Sequence, residues 1–209
     1  MFNSFVVTVT KKGVIKKTEA KMFMNVRKTG IKAVGLRDDD ELSFCSISSG
    51  NDSIIIATDF GQGIHFNESE IRAMGRQAAG VRGIRLKEGD KVVGMGIVDP
   101  EQEKNTTLLV VTSNGYGKQS PIKEYKQQSR GGSGIKTANV TKKTGEIIGS
   151  MILDDEVLTI KNDLMAISKA GQTIRLPLKS VSKLGRATQG VRIMRFKEPN
   201  DTVSSVTLV

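Results

Sequence analysis

The chain has 209 residues, enough for one large or two small domains with a real core, and carries 32 lysines and arginines against 22 acidic residues. Its charge of +10 is spread along the chain rather than held in a tail, which points to a polyanionic partner, nucleic acid before a membrane surface, with plain solubility as the alternative. One cysteine excludes an internal disulfide, one histidine excludes a His-rich metal site, and no run approaches the roughly 18 apolar residues of a spanning helix.

From the start, Met1-Phe2-Asn3-Ser4 lacks the basic-then-apolar form of a secretory signal, so the expected setting is reducing and cytoplasmic. The chain then repeats itself. A short apolar run (Phe5-Val6-Val7) precedes Thr10-Lys11-Lys12-Gly13, a hydroxyl residue, two others and glycine. The pattern returns as Thr58-Asp59-Phe60-Gly61 after Ile54-Ile55-Ile56, as Thr112-Ser113-Asn114-Gly115 after Leu108-Leu109-Val110-Val111, and as Ser168-Lys169-Ala170-Gly171 after Leu164-Met165-Ala166-Ile167. A second glycine follows the first by 17, 19, 19 and 19 positions, at Gly30, Gly80, Gly134 and Gly190. An arginine precedes each (Arg27, Arg76, Arg130, Arg186), and an apolar residue and a base follow each: Ile31-Lys32, Val81-Arg82, Ile135-Lys136, Val191-Arg192. A polar turn and a last apolar run, over 41–47, 91–98, 146–153 and 202–209, close each unit.

Short runs rich in Val, Ile and Thr, bounded by Gly, Asn and Asp, read as strands, with hairpins at the first glycines. The stretches 68–74, 122–125 and 178–184 read as polar connectors with at most a helical turn, and no segment sustains a helical period over three turns. About four strands per unit of roughly 50 residues describe a propeller-like blade. The expected fold is all-β, one repeat domain of four four-stranded blades bounded near 1–50, 51–104, 105–156 and 157–209. A blade buries its faces only against its neighbours, so the blades stack in a row. Cys45, inside an apolar run, is expected to be buried and inert.

Charge recurs with the repeat. The base two residues after the second glycine (Lys32, Arg82, Lys136, Arg192) alternates with an apolar neighbour, as on a strand with one face in solvent. The arginines Arg27, Arg76, Arg130 and Arg186, and the bases three or four residues after the first glycine (Lys16, Lys17, His65, Lys118, Arg175), extend the set. Such bases neutralise phosphates and release counterions without reading sequence; the alternative is a solvated face. The loop Gln128-Ser129-Arg130-Gly131-Gly132-Ser133-Gly134 offers either backbone N–H groups to a phosphate or simple turns at positive φ, and turns are preferred. No Ser-His-Asp set, metal cluster or P-loop is present. Asp38-Asp39-Asp40 reads as a hairpin turn before a Mg²⁺ site, Tyr116 as a packed hairpin residue, and Tyr125 as a connector anchor.

At Gly30-Ile31-Lys32-Ala33, Glu70-Ile71-Arg72-Ala73-Met74-Gly75-Arg76, Gly80-Val81-Arg82-Gly83-Ile84-Arg85-Leu86, Asn114-Gly115-Tyr116-Gly117-Lys118 and Gly185-Arg186-Ala187-Thr188-Gln189-Gly190-Val191, the chain resembles the C-terminal domain of DNA gyrase A, over essentially its whole length. The resemblance implies a β-pinwheel, by order its last four blades in an open arc, and adds Arg85 to the candidate bases. It implies double-stranded DNA as partner, wrapped on a basic rim, together with the remaining domains of gyrase A and with gyrase B. The setting it implies is the bacterial cytoplasm, on the nucleoid, with no membrane partner. ATP and Mg²⁺, and the DNA-cleaving tyrosine, belong to other domains of such an enzyme, a type IIA topoisomerase, so no cofactor is expected in this chain. The family's box, Q-R-R-G-G-K-G, sits in a first blade that has no counterpart here, and residues 128–134 copy it loosely. The corresponding C-terminal domain of topoisomerase IV, which binds DNA without chiral wrapping, is the runner-up; a protein-interaction propeller is the reading from another class.

Overall fold

The computed structural model describes residues 4–37 and 39–209; the opening residues 1–3 and Asp38, on which two of the readings above fall, lie outside the described residues. The first unit supplies β1 (Phe5–Thr10), β2 (Val14–Glu19) and β3 (Leu42–Ser48). The second supplies β4 (Ser53–Thr58), β5 (Gln62–Asn67), β6 (Val81–Arg82) and β7 (Val92–Val98). The third supplies β8 (Thr107–Thr112), β9 (Tyr116–Pro121), β10 (Ile135–Lys136) and β11 (Ile147–Leu153). The fourth, after a helix α1 (Asp155–Ile160), supplies β12 (Asp163–Ser168), β13 (Thr173–Pro177), β14 (Val191–Arg192) and β15 (Val203–Leu208). The connectors hold single 3-10 turns at Glu68–Glu70, Ile122–Glu124 and Leu178–Ser180.

The hydroxyl-x-x-Gly signature has a local cause. The side-chain oxygens of Thr10, Thr58, Thr112 and Ser168 accept from the backbone N–H of Val14, Gln62, Tyr116 and Gln172 at 3.1, 3.3, 3.3 and 3.1 Å. The glycine N–H returns to the carbonyl of the same Thr or Ser at 3.0 Å in every unit, and the glycine φ lies at 79°, 82°, 76° and 85°. This is the three-residue hairpin, a turn followed by one left-handed residue.

The four sheets are ordered β3-β1-β2-β6, β10-β5-β4-β7, β11-β8-β9-β14 and β13-β12-β15. Sheets and sequence units are therefore offset by one strand, which the sequence reading did not anticipate. The apolar-base pair after the second glycine crosses to the sheet of the preceding unit. Val81 and Arg82 lie opposite Ile15 and Val14, Ile135 and Lys136 opposite Gly63 and Gln62, and Val191 and Arg192 opposite Gly117 and Tyr116. The second glycine permits that crossing. A Cβ at Gly80, Gly134 or Gly190 would stand 2.4, 2.4 or 2.8 Å from the carbonyl oxygen of Ile15, Gly63 or Gly117, whereas one at Gly30 meets nothing within 4 Å. Ile31-Lys32 carries the same signature but forms no strand, and the fourth sheet keeps three strands with one side of β13 unpaired among the described residues.

Successive sheets bury their faces against each other, as a row of blades must. One core joins Val7, Val9 and Ile15 to Ile54, Ile56, Ile64 and Phe66. The next joins Ile55 and Val98 to Leu108, Val110 and Tyr125, and the third joins Leu109, Val111 and Leu153 to Leu164, Leu178 and Val181. Among the described residues the sheets do not close into a ring.

The acidic turns are structural. Asp40, Asp90 and Asp201 accept from the N–H of Lys12, Phe60 and Ala170 at 3.0, 3.2 and 3.0 Å, each clasping its unit's hairpin turn. In the third unit, the Thr144 carbonyl takes the Asn114 N–H at 3.0 Å instead. Unit two differs because its hairpin sets a second carboxyl, Asp59, beside the turn acid. Burial first, and then the contact with Asp59, push the Asp90 carboxyl up to about 6. An unfolded aspartate releases its proton near about 3.9. The folded chain therefore binds more protons between these values, and the stabilisation is full below pH ~4 and lost as pH rises through ~6. Asp90→Asn keeps the acceptor for Phe60 and removes the titration. It should flatten this part of the pH dependence and raise stability at pH 7.5 by about 1 kcal/mol, because partial solvation weakens the pair. Urea titrations at pH 4, 6 and 7.5 measure it; an unchanged pH slope in the variant rules the pair out.

Two local expectations need correction. Cys45 is exposed, because β3 belongs to the first sheet, whose outer face has no preceding sheet against it among the described residues, although partial desolvation pushes its thiol pKa up. Helix α1 was not legible; its six residues are too few for a helical period, and it is started by Asp154, whose Oδ1 accepts from the Val157 N–H at 2.7 Å.

Candidate nucleic-acid interface

The pairs after the second glycine split as the alternation requires. Ile31, Val81, Ile135 and Val191 are half-buried, while Lys32, Arg82, Lys136 and Arg192 are exposed. Three of these four bases share one register position on successive sheets, which makes a row of like charges.

The arginines before the second glycine brace that row. Arg76 Nη1 donates to the Lys32 carbonyl at 3.3 Å, Arg130 Nη1 to the Arg82 carbonyl at 3.1 Å, and Arg186 Nη1 to the Lys136 carbonyl at 2.8 Å. Each guanidinium is half-buried and spans a junction, so it fixes the backbone beneath one exposed base while carrying its own charge to the same rim. Arg27 is exposed at the corresponding place in the first unit. There it lines a shallow concavity of about 660 Å³ with Lys32 and Arg76. Arg85 is also exposed, and its backbone N–H bonds the Gly132 carbonyl at 2.8 Å. Arg175 is exposed but its Nε pairs with Asp163 at 2.7 Å, which offsets its charge.

Three sequence candidates lie elsewhere. Lys16, Lys17 and Lys118 are 1%, 6% and 1% exposed, so they are withdrawn from any solvated face. Lys16 Nζ donates to the carbonyls of Ala33 and Arg76, both at 2.6 Å. Lys118 Nζ donates to those of Gly185 and Arg186 at 2.8 and 2.6 Å. Burial lowers the Lys118 ammonium to about 8, with Glu124 opposing and Arg186 adding, and burial likewise lowers Lys16. Lys17 is paired with the buried Glu68 at 3.2 Å and donates to its carbonyl at 3.1 Å.

The neighbouring register column does the same work with other side chains. His65 Nδ1 lies 2.8 Å from the Tyr125 carbonyl, which can only accept, so this nitrogen carries the proton; Gln119 Nε2 donates to the Leu178 carbonyl at 2.8 Å. These are staples between units, not ligand contacts.

The glycine-rich loop is likewise occupied. Gly131 N–H bonds the Gly83 carbonyl at 2.6 Å, and the Gly132 carbonyl takes the Arg85 N–H. These glycines serve turns and close approach. Tyr116 is packed as expected, at 6% exposure. Its hydroxyl accepts from Arg192 Nη2 at 2.9 Å, and that bond holds its pKa below the usual phenol value. Arg192 and Lys143 both lie over its ring, at 5.1 and 5.7 Å. Lys143 was missed because it belongs to no repeat column; a basic turn replaces the acidic one only in this unit. Tyr125 is buried, and burial pushes its pKa up to about 12. Among the described residues, no group of three or more His, Cys, Asp or Glu side chains is placed to hold a metal.

The family model described as the DNA gyrase C-terminal domain, beta-propeller, matches residues 4–49, 52–99, 106–154 and 162–209. The DNA gyrase A protein of Staphylococcus epidermidis (strain ATCC 12228 / FDA PCI 1200) is 42% identical over 205 residues, covering 98% of this chain and 22% of that protein. The chain thus spans about a fifth of the curated relative's length. A solved DNA gyrase A C-terminal domain superposes with a TM-score of 0.82 at 25% identity, over 100% of this chain and 66% of the other. The C-terminal domain of a DNA topoisomerase IV superposes with a TM-score of 0.87 at 25% identity, over 99% and 62%.

Proposed function

The chain belongs to the DNA gyrase C-terminal domain, beta-propeller family, and from that premise we propose that it binds duplex DNA without sequence preference and bends it along the exposed bases Lys32, Arg82, Lys136 and Arg192. The observation that supports this most is the recurrence of these exposed bases at one repeat position, three of them in shared register. Bending 20–30 base pairs by 40–90° costs on the order of 1–6 kcal/mol. A row of charges held on successive sheets offsets that cost, because each neutralised phosphate releases counterions. Arg27, Arg76, Arg85, Arg130 and Arg186 add charge to the same rim.

In this reading the domain supports negative supercoiling by a larger bacterial enzyme on the nucleoid. Nucleotide, Mg²⁺ and strand cleavage are handled by the remaining domains of gyrase A and by gyrase B. If roughly eight phosphates are engaged, log K falls with log[salt] at a slope near −7. Duplex titrations at several salt concentrations measure that slope, and a value near zero sinks the reading. The likeness to the topoisomerase IV domain supports a second reading, binding without chiral wrapping. Signed writhe trapped on relaxed circular DNA separates the two.

A further inference from the structure

Two carboxylates stand against the basic rim. Glu70 Oε2 accepts from the Arg130 backbone N–H at 3.0 Å, and Glu124 Oε2 accepts from the Arg186 backbone N–H at 2.9 Å. Arg130 Nε also donates to the Glu70 carbonyl at 3.0 Å. Arg130 is therefore held at three points: Glu70 grips its backbone N–H and its Nε, and its Nη1 grips the carbonyl beneath Arg82. A carboxylate beside a phosphate-binding row repels the ligand, so its value there must lie in something other than charge.

The junctions differ in how each arginine loop is anchored. Between units one and two, Lys16 holds the loop through the Arg76 carbonyl, and Met22 stands where the glutamate would be. Between units two and three, Glu70 holds it, and Ile64 stands where the lysine would be. Between units three and four, Lys118 and Glu124 both hold it. Every junction thus carries at least one ionic side chain that locks the arginine loop of one unit to the unit before it.

We propose that Glu70 and Glu124 are positioning residues that fix the spacing between successive rim bases and thereby set the curvature imposed on bound DNA; the inference rests on the DNA-binding reading above. A rigid row of charges bends a duplex, whereas the same charges on loose loops follow it. The two roles of a carboxylate, charge and acceptor, separate on substitution. E70Q/E124Q removes the charge but keeps an oxygen for the arginine N–H. E70A/E124A removes both.

The test measures affinity, salt slope and end-to-end energy transfer on a duplex labelled at both ends. Both variants should bind tighter than the parent by up to about 10-fold, with the salt slope kept. The glutamine variant should keep the parental bend, and the alanine variant should lose at least half of it. Equal bending by the two variants overturns the proposal. Glu70 is exposed, so E70A against E70Q carries the same comparison if the double alanine variant is unstable. A parent chain that neither binds nor bends DNA instead refutes the DNA reading.

Discussion

Reversing Lys32, Arg82, Lys136 and Arg192 together to glutamate should lower duplex affinity at 0.1 M salt by about 10³-fold or more. Each phosphate contact contributes roughly 0.9 to the log-log salt slope. Loss of four contacts should therefore bring the slope from near −7 to about −3.5. The four bases are exposed, so the fold should survive their reversal. Net charge alone is excluded by a matched control. Lys104, Lys123, Lys161 and Lys179 are exposed and lie outside the column of the four rim bases, and their reversal to glutamate changes the total charge equally. The control should cost less than about 10-fold. Equal losses in the two variants would mean that charge, not the row, binds the duplex.

Gly134→Ala should destabilise the chain by about 3–5 kcal/mol, and Gly30→Ala by only about 1 kcal/mol. Both glycines have positive φ, 70° and 79°, so both substitutions incur the left-handed strain of an L residue. They differ in space. A Cβ at Gly134 falls 2.4 Å from the Gly63 carbonyl oxygen and 2.8 Å from its carbon, while one at Gly30 meets nothing within 4 Å. The extra loss reports the seam where β10 enters the second sheet, and large single-site effects require a mechanism of that kind. Equal destabilisation in urea melts would show that φ alone sets the requirement for glycine.

Much of this architecture was legible because it repeats. The hydroxyl-x-x-Gly turns, the hairpin strands and the closing strands all follow from side chains acting within a few residues of themselves. The crossing strands were not legible, since a two-residue strand has no period and its partner lies in another unit. The same blindness misplaced Lys16, Lys17 and Lys118. Spacing from the first glycine places these bases on strands β2 and β9 but does not tell that both faces are covered, as the joint burial of the neighbours Lys16 and Lys17 shows. Opposite β1, β4, β8 and β12, the column Lys17, His65, Gln119 and Arg175 is distinct from the column Lys16, Ile64, Lys118 and Ile174. The exposed rim bases were found because they alternate with an apolar neighbour. Cys45 misled because its apolar run lies in the first sheet, and sequence does not tell that this sheet is covered on one face only.

The crossing of strands between units also sets a schedule for synthesis. Val14 waits for Arg82, Gln62 for Lys136 and Tyr116 for Arg192. At about 5–20 residues per second on the ribosome, a hairpin that has already emerged keeps one open side for several seconds, until most of the following unit is outside. Assembly therefore trails translation by one unit. A cut placed at the visible sequence repeat, between 104 and 105 for example, removes β10 and opens the β5 side of the sheet before it. The piece that can be exchanged as a cassette is therefore not the piece that recurs in the sequence.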